Sequence, residues 1–216
     1  MDNQSDIAQF SDLLMSSTEA MFESGQPLMN RIVPTETPAE IWTHYPNSDV
    51  INGPAGSRYF YHCHPPGERI DGEHGHFHLF LDKSAMPGGV APLISPPPEN
   101  LAKTRADVVH IAALAISVSG LPLAWFGINR WVTDEWVYPA ETIIGLLERF
   151  DMRGPMGDPL VNDWLTGIVG LARQDLTEIL HERDRVLKAS DPSGEDRQVE
   201  VTSTIPISLE KLFAIA

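Results

Sequence analysis

The chain has 216 residues, 42% of them hydrophobic, enough to bury one sizeable core; no shift in composition marks a second, so a single domain over 1–216 is the expectation. Its 30 acidic against 15 basic residues, a formal charge of −15, speak against nonspecific binding to nucleic acid or to an anionic membrane, since both need a basic face. A small neutral or cationic ligand fits better.

The opening MDNQSDIAQF lacks the positive flank and apolar run of a signal peptide. No stretch reaches the ~18 uninterrupted apolar residues of a membrane span. The single cysteine cannot form an internal disulfide, and a reducing, cytoplasmic setting is the expectation.

In chain order, Ile7, Phe10, Leu13, Leu14, Met21 and Phe22 recur at helical spacing over Asp6 to Ser24, with Gly25 as the stop. In TPAEIWTHYP, Thr37 as N-cap and Pro38 at the first helical position predict a short helix ending before Pro46. Residues 58–64 and 74–82 read as strands, rich in aromatics and bounded by Gly and Pro. The stretch from Lys83 to Lys103 reads as a long loop, and its length suggests a cover over a site.

VVHIAALAISV and PLAWFGINRWVT, separated by a turn at SGLP, predict a hairpin in a buried sheet. A helix follows over Pro139 to Phe150. A longer one begins after Asp158 as N-cap, with Pro159 next, and runs to about Ser190. Gly167 and Gly170 inside it cost about 1 kcal/mol each relative to Ala, which close packing against another element would justify. QVEVTSTIPI reads as an edge strand, where its proline is tolerated. The expected fold class is α+β: an antiparallel sheet with an N-terminal helix and C-terminal helices packed against it.

The chemistry concentrates in YFYHCHPPGERIDGEHGHFHLFL, residues 59–81, which holds five of eight histidines, the only cysteine and several carboxylates. Histidine is the commonest metal ligand and titrates near neutrality. Strand alternation puts His62 and His64 on one face, and His74, His76 and His78 on one face of the next strand, with Cys63 turned away into the core. Across an antiparallel pair about 4.8 Å apart, such imidazoles converge on one ion. A divalent metal suits them, zinc or iron first, with manganese, nickel and copper also open.

The expected ligands are His62, His64, Glu68, His76 and His78, with Glu73 as catalytic base and His74, His110 and Arg130 as further candidates. The ordinary alternatives stand beside these. Histidines on strands also line polar clefts without metal, and His44 and His181 read as surface helix residues. Arg130, which interrupts an apolar strand, either anchors an anionic substrate or sits in an internal salt bridge, the usual fate of a buried charge. Trp125, Trp131 and Trp136 read as core.

Three resemblances bear on these residues. Gly56, His62, His64, Glu68 and Gly75 match the spacing of the first cupin motif, which implies His62, His64 and Glu68 as metal ligands; a turn, RIDGEHG, follows where that family has an apolar strand. HGHFHLF resembles the histidine-triad pattern of nucleotide hydrolases and transferases, which implies His76 as nucleophile; Gly75 departs from its hydrophobic requirement. HYPNSDV, YFYHCHPPGER, EHGHFHLFL and NRWVTDE together resemble an uncharacterised family of bacterial proteins of about this length, which implies no catalytic residue.

The functional expectation is therefore a metal-binding protein with a histidine-rich hairpin site, with a small-molecule metalloenzyme as its sharper form. A noncatalytic binding or partner protein with a histidine-lined cleft is the alternative, and a histidine-triad-like nucleotide hydrolase the lesser one.

Overall fold

The computed structural model describes residues 3–33, 39–100, 107–208 and 210. Six strands form one antiparallel sheet in chain order: β1 (Tyr45–Asn52), β2 (Ser57–His62), β3 (Glu73–Asp82), β4 (Val108–Ser117), β5 (Pro122–Ile128) and β6 (Val201–Pro206). The α+β expectation holds. β6, with Pro206, is the edge strand the sequence predicts, and β1 forms the other edge.

The longer helices cover one face. Residues at alternate positions, Tyr59, Tyr61, Phe77, Leu79, Leu81, Leu114 and Trp125, join the main core with α1 (Asn3–Glu23), the short α2 (Leu28–Ile32) and α4 (Ala140–Ile144), α5 (Pro159–Leu171) and α6 (Arg173–Ser190). Asp158 caps α5 by accepting from Leu160 N and Val161 N. A Cβ at Gly167 would come within 2.8 Å of Leu14 N and Phe10 O, and one at Gly170 within 2.2 Å of the Phe10 ring. The two glycines thus let α5 lie against α1, as the sequence predicts. No helix among the described residues is long and apolar enough to cross a membrane.

The opposite face carries Phe60, His62, His76, His78, Phe80 and Phe126. Across from the two histidines of β3, the neighbouring strand presents alanines: His76 pairs with Ala115 and His78 with Ala113. Small side chains there leave the imidazoles room to turn toward one another.

Several elements differ from expectation. The predicted helix after Pro38 is absent over Ala39–His44: Ile41 bridges to Cys63, Trp42 takes a left-handed backbone (φ 66°), and β1 begins at Tyr45; Thr37 and Pro38 lie outside the described residues. The helix from Asp158 to Ser190 is two helices, broken at Ala172. The strand through NRWVT ends at Ile128, and Asn129 caps a helical turn, α3 (Arg130–Thr133), instead. Trp125 is core, but Trp131 and Trp136 are half-buried; Trp131 donates to Asp196 O and Val199 O, and Lys83 Nζ lies 3.2 Å over the Trp136 ring.

Candidate metal centre

His62 and His76 are directly paired residues of β2 and β3, and His78 lies one pleat further along the same face. Their rings converge. His62 Nε2 lies 2.9 Å from His76 Nε2, 3.2 Å from His78 Nε2 and 3.2 Å from His64 Nε2, and all four residues are buried. His62, His76 and His78 each offer a nitrogen within 4.8 Å of the others, a group able to hold a metal ion, and His64 stands at its rim.

A ring nitrogen carries either one proton or one lone pair, so hydrogen bonding among neutral imidazoles satisfies one of the three His62 contacts well and the others poorly. An ion accepts several lone pairs at once. Ligand nitrogens about 2.0 to 2.1 Å from a tetrahedral ion lie roughly 3.3 Å apart, close to the separations found. Two of the rings are also held in the neutral form. Burial, with the neighbouring His76, lowers His64 to about 4. Burial and then the surrounding histidines hold His78 well below its ordinary value.

The far sides of two rings are held. His76 Nδ1 lies 2.7 Å from Glu73 Oε1, and the other Glu73 oxygen accepts from Ile70 N. The Glu73 carboxylate thus accepts a hydrogen bond from Nδ1–H and leaves the His76 Nε2 lone pair facing the cluster. His78 Nδ1 lies 3.0 Å from His110 Nε2, while the His110 backbone N–H donates to Glu135. Glu135 is fully buried, and burial raises its carboxyl to about 8 against the pull of Arg183.

A cavity of about 80 Å³ opens onto the cluster. His64, His76 and His78 form its floor, and Ile70, Phe126, Ile128, Val132 and Val201 its apolar walls. Glu68 and Glu200 stand at its acidic rim. Beside it, the Trp42 ring lies 4.2 Å from that of His64. No lysine or arginine lines the cavity among the described residues; Arg69, between the lining residues Glu68 and Ile70, donates from Nε to His64 O.

The other expected residues are placed as follows. His74 leaves the row: a bulge between Glu73 and Gly75 turns it to the opposite face, where its Nδ1 meets Tyr61 OH at 2.8 Å and Cys63 Sγ at 3.7 Å. Cys63 is buried there, as predicted. Glu68 sits in a turn with its side chain 57% exposed, 3.7 Å from His64 Nδ1 and outside the three-histidine group. His110 reaches the group through His78. Arg130 is in an internal ion pair with Asp134 at 3.2 Å and does not line the cavity.

His44 is on no helix; its ring stacks on Phe60 at 4.1 Å. His181 lies exposed on α6 beside Glu141. The described part of the long loop bridges through Ile94 to Val137, and none of its residues lines the cavity. The segment that comes over the histidines is instead the one carrying Trp42 and His44. Nor is the sheet a double-sheet jelly roll, the architecture of cupins.

A family model described as a domain of unknown function, DUF6969, matches residues 8–207. The chain belongs to that family. No curated protein and no solved structure matches it. The DUF6969 match takes in all six strands and every residue of the cluster and cavity, from Trp42 to Thr204. It agrees with the resemblance to an uncharacterised family that the sequence motifs carry.

Proposed function

We propose that the protein is a mononuclear metalloprotein in which His62, His76 and His78 bind a divalent ion, zinc or iron foremost, and present its open side to a small molecule in the adjoining cavity. The observation that carries this reading is the approach of two ring nitrogens, from His76 and His78, to His62 Nε2 at 2.9 and 3.2 Å, contacts that lone pairs sharing an ion satisfy together and neutral imidazoles alone do not. A divalent ion held this way supplies Lewis acidity at its free position.

The roles of the two glutamates follow their positions and differ from those the sequence suggested. Glu73, committed to His76 Nδ1 and Ile70 N, orients a ligand; it is not a free base. His110 does the same for His78. His64, on the cavity floor with Glu68 3.7 Å behind it, is the group placed to take or return a proton. The enzyme reading rests on that pair and on the cavity. The rival, a polar cleft without metal, leaves most of the contacts at His62 Nε2 badly matched.

Metal analysis of purified protein against His76→Ala and His78→Ala, with folding checked by circular dichroism, tests the proposal. About one ion per wild-type chain, lost in both folded variants, is the expected result. Equal metal content in all three overturns it.

A further inference from the structure

The cavity beside the histidines also bears on what it admits, given the metal reading. Of the large apolar side chains left exposed on the protein, Trp42 (54%), Ile70 (41%) and Val201 (50%) gather around this one cavity: Ile70 and Val201 line it, and Trp42 packs on His64 of its floor. Isolated exposed apolar residues are ordinary, but a group of them around a concave polar floor marks a binding surface. They come from three separate parts of the chain, the segment before β1, the turn before β3 and the start of β6. Deeper in, Phe126 continues the apolar wall, 5.0 Å from the His76 ring.

Charge narrows the class further. Glu68 and Glu200 stand at the rim, and no cationic side chain lines the cavity among the described residues. A phosphorylated or polycarboxylate ligand would meet repulsion at that rim, with Arg69 beside it already engaged on His64 O and the ion itself left to draw it in.

We infer that the site takes a small molecule with a single nitrogen, oxygen or sulfur donor for the metal, carried on an apolar body of about the size of one aromatic ring, and uncharged or cationic elsewhere. The donor reaches the ion at the histidine floor, and the apolar body lies between Phe126, Ile70 and Val201, with its outer edge toward Trp42.

Cobalt-reconstituted protein, its cobalt content measured first, is titrated with imidazole, 4-phenylimidazole and inorganic phosphate, following the visible spectrum. The phenyl group adds apolar area worth about tenfold or more in affinity if the walls cover it. The expected result is 4-phenylimidazole binding at least tenfold tighter than imidazole, phosphate leaving the spectrum unchanged, and Val201→Asp abolishing the preference. Equal affinity for the two azoles, or phosphate binding as tightly as either, overturns the inference while the metal reading stands. Failure of the wild type to take up cobalt removes the metal reading and this inference with it.

Discussion

His62 and His76 face one another across paired strands, their Nε2 atoms 2.9 Å apart. The approach depends on the closeness of β2 and β3 at Gly75. A Cβ there would lie 2.3 Å from His62 O and 2.7 Å from Tyr61 OH. The first of these is backbone and cannot swing aside.

Gly75→Ala therefore has to push the strands apart at the pair that begins the cluster. The expected cost is about 1 to 3 kcal/mol, as for other overpacking substitutions, together with weakened metal retention. Urea denaturation and metal content read the two effects. A variant with wild-type stability and full metal would mean that β2 and β3 are not packed as described.

Glu73 and Glu68 flank the same turn but face different surroundings: the Glu73 side chain is 4% exposed and bonded to His76, the Glu68 side chain 57% exposed at the rim. Glu73→Gln is expected to lower metal affinity by about 10- to 100-fold, the usual effect of losing the partner of a ligating histidine. Glu68→Gln should leave affinity within about twofold. Competition against a chromophoric chelator measures both, and the opposite ranking would return Glu68 to the ligand set.

Much of this arrangement is legible in the sequence because it is local. The strands β2 and β3 are rich in aromatics and flanked by Gly and Pro, β4 and β5 are apolar runs, and alternation alone puts His62, His76 and His78 on one face. His74 breaks the alternation through a bulge that no residue type announces. β1 escapes notice because Pro46, Asn47 and Ser48 read as turn residues, and its pairing with β2 is itself irregular between Tyr45 and Val50. The cavity is harder still. Val201 and Thr204 join the histidines only after β6 has paired with β5, a contact between residues 78 apart in the pairing of Phe126 with Thr204. The break at Ala172 has neither Gly nor Pro to mark it. Trp42 came into view only with the loss of the predicted helix around it.

Asp191 makes the fold's acid sensitivity testable apart from the metal site. Burial pushes its carboxyl up, but hydrogen bonds from Asn129, Ser193 and the backbone of Glu195 and Asp196 outweigh this and hold it at about 2, below the ordinary 3.8. A depressed carboxyl contributes stability that is present above about pH 4 and lost as pH falls through 2. Asp191→Asn is expected to be less stable at pH 7 by about 1 to 3 kcal/mol. It should also lose the component of acid destabilisation that sets in below pH 4. Thermal unfolding across pH 2 to 7 checks it, and parallel curves for the two proteins would contradict the assignment.

The central claim is that three histidine nitrogens, from His62, His76 and His78, hold one ion with a side open to the cavity. X-ray absorption at the metal edge of the purified protein tests it most directly. The account predicts a first shell of light atoms at about 2.0 to 2.1 Å with the outer-shell scattering of three imidazoles, and a shell that changes when azide is added. A protein without bound metal, or one whose shell holds four imidazoles and ignores azide, would contradict it.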